Sequence, residues 1–248
     1  MDKLIEIGTI TPEASEFLKI LVQAKYNIFI CGGTGSGKTT FLNVLSNFIP
    51  PNERIVTIED SAELRLSKIT NIARMETRNA NTEGAGEVPI KALIKTALRM
   101  RPDRIIVGEV RGEEALFMLQ AMNTGHEGSM STGHANSISD MLSRLETMVL
   151  MAASLPLDAI RKQISSSLDV MIFISRFRDG SRKISGISEV MGLENREIVL
   201  NELYKYKEDA QNIDGKVIGK LTPTGKPFMN TMKIRQNLGY YPAHPLLT

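Results

Sequence analysis

Lys38 and Thr39 close a stretch, CGGTGSGKTT at residues 31–40, in which four of ten residues are glycine. Glycine loses more conformational freedom on folding than any other residue, so this density marks a backbone that needs left-handed angles. Gly32, four residues and then Gly37-Lys38-Thr39 is the spacing of a phosphate-binding loop. In such a loop the N–H groups of Gly33, Thr34, Gly35, Ser36 and Gly37 converge on an anion. The helix that follows adds its N-terminus through Lys38, Thr39 and Thr40. Lys38 would reach the β- and γ-phosphates, and the Thr39 hydroxyl would hold Mg²⁺. The spacing implies a bound nucleotide triphosphate such as ATP.

Phosphoryl transfer to water also needs a group that orients the nucleophile and groups that neutralise charge. Two acids follow apolar runs. IVTIEDSAEL (55–64) puts Glu59 and Asp60 at one run's carboxyl end, and RPDRIIVGEVRG (101–112) puts Glu109 at another's, with Arg111 close behind. The carboxyl ends of strands are where an open α/β sheet carries its ligand crevice. Glu109 is expected to orient the water and to share the metal with Thr39, directly or through water, with Glu59 in support. Each acid has a structural alternative, a helix-terminal charge for Glu59 or an ion pair for Glu109. TGHEGSMSTGHANS (124–137) holds His126 and His134, two of the three histidines, without the cysteine pair or helical spacing of a zinc site. Arg74 and Arg78 are the candidate arginine fingers, with solvated surface charge as the alternative. Arg144 and Glu146 share a helix.

Hydrophobic periodicity supplies the elements that must hold these groups. Asn27–Cys31 predicts a strand before the glycine loop and KTTFLNVLSNF a helix after it. RIVTIED, NIARMETR and RIIVGEV predict further strands, the last buried on both faces. Helices are expected from Thr11-Pro12, from Pro89 to the stop at Pro102, over Glu113–Met122, and in DMLSRLETMVLMAA and PLDAIRKQISSSL. The methionines of LETMVLMAA are expected in the helix core. Alternation to about residue 168 implies a mostly parallel, helix-covered α/β sheet. From Asp169 an antiparallel meander turning at Asp179-Gly180 would extend one edge. After Gly215, four prolines suggest an irregular tail, disordered near Thr248.

The chain has 248 residues, 42% of them hydrophobic, and a net charge of +2. That gives no strong hint of nucleic acid, and none is expected as a partner. One cysteine excludes a disulfide framework. No apolar run reaches the ~18 residues of a membrane span, which suits a cytoplasmic protein.

The glycine loop, the acids at 59 and 109 and the histidine stretch occur in the order of the Walker A, Asp box, Walker B and His box of another group. In this respect the chain resembles the type II and type IV secretion and pilus-assembly ATPases over about residues 5–205. The run RMRPDRIIVGEVRGEEAL, followed by TGHEGSMSTGHANS and RLETMVLMA, is most similar to the CpaF branch, which drives tight-adherence (Flp) pili. The resemblance implies one RecA-like ATPase domain over 1–248, with a core near 11–168 and an extension over 169–248. It implies Mg-dependent ATP hydrolysis with Glu109 as the Walker B acid, Glu59 as the Asp-box acid and His134 as the His-box histidine. It further implies a homohexameric ring on inner-membrane platform proteins, without the family's N-terminal region, and hence slow turnover by this chain alone. A RecA-like nucleic-acid translocase is the alternative class.

Overall fold

Thr11 starts a helix because its side chain accepts a bond from the Ala14 N–H, while Pro12 has no N–H to leave unpaired in the first turn. In the computed structural model, which describes residues 1–209 and 215–247, this helix is α2 (Pro12–Gln23), behind a short α1 (Asp2–Glu6). The chain then alternates: β1 (Ile28–Gly32), α3 (Lys38–Ser46), β2 (Arg54–Glu59), β3 (Asn71–Glu76), α4 (Ile90–Ala97), β4 (Arg104–Val107), α5 (Glu114–Asn123) and β5 (Met130–His134). Two helices, α6 (Ile138–Ala152) and α7 (Leu157–Ser167), lead to β6 (Val170–Arg176), β7 (Arg182–Glu194) and β8 (Glu197–Glu208).

The strands form one sheet in the order β3-β2-β4-β5-β1-β6-β7-β8-β9, where β9 is Gly219–Pro223. Pairing is parallel from β3 through β6 and antiparallel from β6 through β9. The expected class, a mostly parallel α/β sheet with an antiparallel edge extension, is the one observed. Alternation along β1 shows why the sheet needs helices on both faces. Ile28 and Ile30 join Phe17, Leu21 and Leu42 on one side, whereas Phe29 and Cys31 join Leu119, Met141 and Ile164 on the other. Burial raises the Cys31 thiol pKa to about 12, so it is a packing group.

One element is added and two expectations change. GSMSTGHANS contains a central strand, β5, between β4 and β1. Its serine, threonine and glycine lack the β-branched apolar signature of a buried strand. Packing requires small residues there: a Cβ on Gly133 would lie 2.8 Å from Met141 Sδ and 3.0 Å from Phe29 Cζ. The tail is ordered where irregularity was expected, with β9, α8 (Met232–Leu238) and a 3-10 turn at Pro245–Leu247. Phe228, Ile234, Leu246 and Leu247 lack a period, yet each is buried in the first core. The buried Glu189 carboxylate also accepts the N–H groups of Met229 and Asn230, fixing the segment where no helix or strand would. Thr248 lies outside the described residues. In α6, Met148 and Val149 are core as expected, but Leu150 and Met151 are exposed.

One buried ion pair ties β4 to the chain entering β2. Arg104, fully buried, gives Nε and a terminal nitrogen to the two Glu53 oxygens at 2.6 and 2.7 Å, and another nitrogen to Val22 O at 2.6 Å. Glu53→Ala would strand that guanidinium without its counter-ion. Breaking such a pair costs about 3–5 kcal/mol. The expected result is a urea midpoint lowered in proportion at unchanged slope; a shift below about 1 kcal/mol would mean that water reaches Arg104 freely.

Candidate functional site

Residues 33–37 leave β1 at the carboxyl edge of the sheet and turn into α3. Gly37 has φ +96°, a conformation other residues rarely adopt, and it caps α3 with no side chain bonded across the helix end. The first-turn N–H groups of a helix have no partner within it, so this end is a positive, donor-rich socket. Ser36 Oγ is buried beside it with no hydrogen-bond partner among the described residues. Thr34, Gly35, Ser36, Gly37, Lys38, Thr39 and Thr40 line a cavity of ≈ 890 Å³ that Glu109 and His134 share. That volume suits a nucleotide-sized ligand. Gly33 gives the loop its other fixed point, since its carbonyl accepts from Lys38 Nζ at 3.1 Å.

Lys38 joins a chain of polar contacts. Its Nζ lies 3.3 Å from His134 Nδ1, and His134 Nε2 lies 2.7 Å from Glu109 Oε1. An ammonium can only donate, so Nδ1 accepts and the neutral ring carries its proton on Nε2. Burial holds the His134 pKa below the usual histidine value, aided by the Lys38 charge and opposed by Glu109. Burial likewise lowers the Lys38 pKa, opposed by Glu109. His134 and Glu109 are close but out of line for a hydrogen bond, which leaves Glu109 Oε1 buried without a donor among the described residues. A carboxylate oxygen without a donor, beside the donor-rich end of α3, can accept from water or face a cation.

Glu109 sits two residues past the end of β4. Its other oxygen accepts from an Arg111 guanidinium nitrogen at 2.8 Å, and Arg111 also lies 3.4 Å from Asp60 Oδ2. Glu59, the last residue of β2, is buried, and its Oε1 accepts the N–H groups of Glu63 and Leu64 at 3.0 and 2.9 Å. Burial raises its pKa more than those two bonds lower it. Glu59 therefore has one oxygen engaged in holding the loop after β2, beside Glu109. Thr39, Glu59, Asp60, Glu63 and Glu109 border a smaller recess of ≈ 220 Å³. Among the described residues no three His, Cys, Asp or Glu side chains gather to hold a metal by themselves. Mg²⁺ takes one or two protein oxygens, phosphates and water. Thr39 Oγ1 and the unsatisfied Glu109 oxygen fit that demand.

The structure brings together Lys38, Thr39, Glu59, Glu109 and His134, and leaves Arg74 and Arg78 outside the cavity. Arg74 is exposed on the outer strand β3. Arg78 donates Nε to Gly86 O at 2.6 Å and lines a separate cleft with Asp60 and Arg111. His126 lies outside the cavity; its carbonyl accepts from Ser129. Arg144 is exposed, whereas Glu146 pairs with Arg161 at 2.8 Å. Sequence reasoning missed Arg182, whose Nε donates to Gly35 O at 2.8 Å. No local signal could have found it, because only the β1–β6–β7 order lays that hairpin beside the loop.

Comparison with known proteins gives the same picture. A family model described as type II/IV secretion system protein matches residues 1–200. The chain is 44% identical over 165 residues to the type IV secretion system protein PtlH of Bordetella pertussis, covering 65% of this chain and 48% of PtlH. A Mycobacterium tuberculosis protein named for conjugal transfer is 40% identical over 193 residues, 78% of this chain and 54% of that protein. The chain thus spans about half the length of these curated relatives. The structure resembles the VirB11 ATPase of the Brucella suis type IV secretion system, with TM-score 0.64, 34% identity, and coverage of 75% of this chain and 53% of VirB11. The Legionella pneumophila ATPase DotB shares the fold at TM-score 0.53 and 24% identity, covering 71% of this chain and 48% of DotB. A match over residues 1–200, a sheet shared with VirB11 and a phosphate-binding loop facing Glu109 and His134 lead to one conclusion: the chain belongs to the type II/IV secretion system protein family.

Proposed function

We propose that this chain binds ATP with Mg²⁺ and hydrolyses it, and that turnover drives a secretion or pilus machine. The observation that carries the reading is the contact chain from Lys38 through His134 to Glu109 at the mouth of the glycine loop. Lys38, freed from Gly33 O and His134, holds the β- and γ-phosphates. Glu109, with one oxygen held by Arg111 and the other unsatisfied, orients the attacking water and accepts its proton. His134, neutral and between the two, senses whether Lys38 has moved to a phosphate. Thr39 and Glu109 would hold Mg²⁺, directly or through water, and the ion would supply neutralising charge for the transferring group. Glu59 keeps the neighbouring loop in place.

The names of PtlH and VirB11 support placement in a type IV secretion or pilus system. Within it we favour the CpaF branch, a homohexameric ring at the cytoplasmic face of the membrane on platform proteins, with Arg74 or Arg78 reaching a neighbouring subunit's nucleotide. Their exposure on and after β3, away from their own cavity, suits that role. Among the described residues no helix is long and apolar enough to cross a membrane. Phosphate release from MgATP by the purified chain tests the reading, with release expected above a buffer control and unchanged by single-stranded DNA. Strong stimulation by single-stranded DNA would favour a translocase instead.

A further inference from the structure

The cavity has two kinds of lining. Lys38, Thr39, Glu109 and His134 are polar, while Leu4, Ile7 and Ile174 are apolar. Arg182 lines the same cavity, at the start of β7 just past the Asp179-Gly180 turn. Its Nε donates to Gly35 O, and its Cδ would lie 3.2 Å from a Cβ built on Gly37, so the side chain lies directly along the glycine loop. Its backbone is also fixed: Arg182 O accepts from Thr9 Oγ1 at 2.8 Å, and the Ile184 N–H donates to Thr9 O at 3.0 Å. The two terminal guanidinium nitrogens have no partner among the described residues. A planar cation, pinned by one nitrogen and bordering an apolar recess, is placed to stack on a flat aromatic ring.

We propose that Arg182 is the nucleoside-side contact of this cavity, its guanidinium lying against the base and ribose while the loop and Lys38 take the phosphates. The assignment rests on the nucleotide reading of the cavity and adds the residue that separates a nucleotide from a bare polyphosphate. Stacking requires only a π face, so Arg182 contributes affinity for the nucleoside without reading the edge of its base. Its carbonyl bond to Thr9 also joins the nucleoside contact to the segment just after α1.

Calorimetric titration with ADP and with inorganic tripolyphosphate, on the wild type, Arg182→Ala, Arg182→Lys and Lys38→Ala, tests the assignment. Arg182→Ala is expected to weaken ADP about fivefold, in keeping with a cation–π contact from an exposed side chain, and to change tripolyphosphate less than about twofold. Arg182→Lys keeps the charge without the planar group and is expected to recover only part of the ADP affinity. Lys38→Ala should weaken both ligands. Equal loss of ADP and tripolyphosphate in Arg182→Ala would mean that Arg182 serves the phosphates or merely braces the loop, and would overturn the proposal. So would unchanged ADP affinity. Failure of the wild type to bind either ligand would instead defeat the nucleotide reading itself.

Discussion

Glu109→Gln is expected to bind ATP nearly as the wild type does and to release phosphate at least about 10²-fold more slowly. A positioned acid or base is worth about 10²–10⁴ in rate, and an amide cannot accept the proton that water must lose. The amide keeps the size of the carboxylate and one oxygen toward Arg111, so the site should keep its shape. Glu59→Gln is expected to cost less. Its carboxylate is engaged in holding Glu63 and Leu64, and an amide oxygen can still accept those two bonds. Single-turnover and steady-state phosphate release at saturating MgATP, with nucleotide binding measured alongside, separates the two roles. A larger loss in Glu59→Gln than in Glu109→Gln would transfer water orientation to Glu59.

The sequence carried its clearest signals where one physical requirement dominates. The glycine loop needs left-handed backbone and a following helix, and both leave local marks in Gly35, Gly37 and the apolar face of α3. Buried parallel strands such as β4 appear as apolar runs, which also located Glu109 at a strand's carboxyl end. Strand β5 was hidden because its neighbours demand small residues, so that packing against Met141 and Phe29 overrode strand propensity at Gly133. The tail was hidden for a different reason. Its order comes from residues far away in sequence, with Glu189 holding Met229 and Asn230, and His244 Nε2 lying 3.2 Å from Glu13 O. In the site, the residue types of Lys38, Glu109 and His134 were legible, but their mutual contacts depend on β5 lying between β4 and β1. Arg182 depends on the hairpin lying next to the loop, a fact of sheet order that no local pattern expresses.

Lys38→Ala has the largest expected effect on nucleotide binding. Lys38 is the sole lysine lining the cavity among the described residues, and its ammonium rests on Gly33 O and His134. Both contacts are replaceable by phosphate oxygens, which bind an ammonium through stronger charge-assisted bonds. Burial already lowers the Lys38 pKa, so an arriving phosphate relieves the desolvation of its charge. Alanine removes that gain and leaves the loop backbone to bind the anion alone. Lys38 makes no ion pair among the described residues, and alanine removes its buried charge along with two hydrogen bonds, so its loss should cost no more than about 2 kcal/mol and leave the protein folded. Binding and folding are therefore separable at this position.

The most direct test of the whole account is calorimetric titration of MgATP into the wild type and Lys38→Ala, with urea unfolding of both. The account predicts saturable binding to the wild type, affinity weaker by at least about 10²-fold in Lys38→Ala, and unfolding curves of equal slope that show both proteins fully folded without denaturant. Comparable MgATP affinity in a fully folded Lys38→Ala protein would contradict it, because the glycine loop would then not be where the phosphates bind.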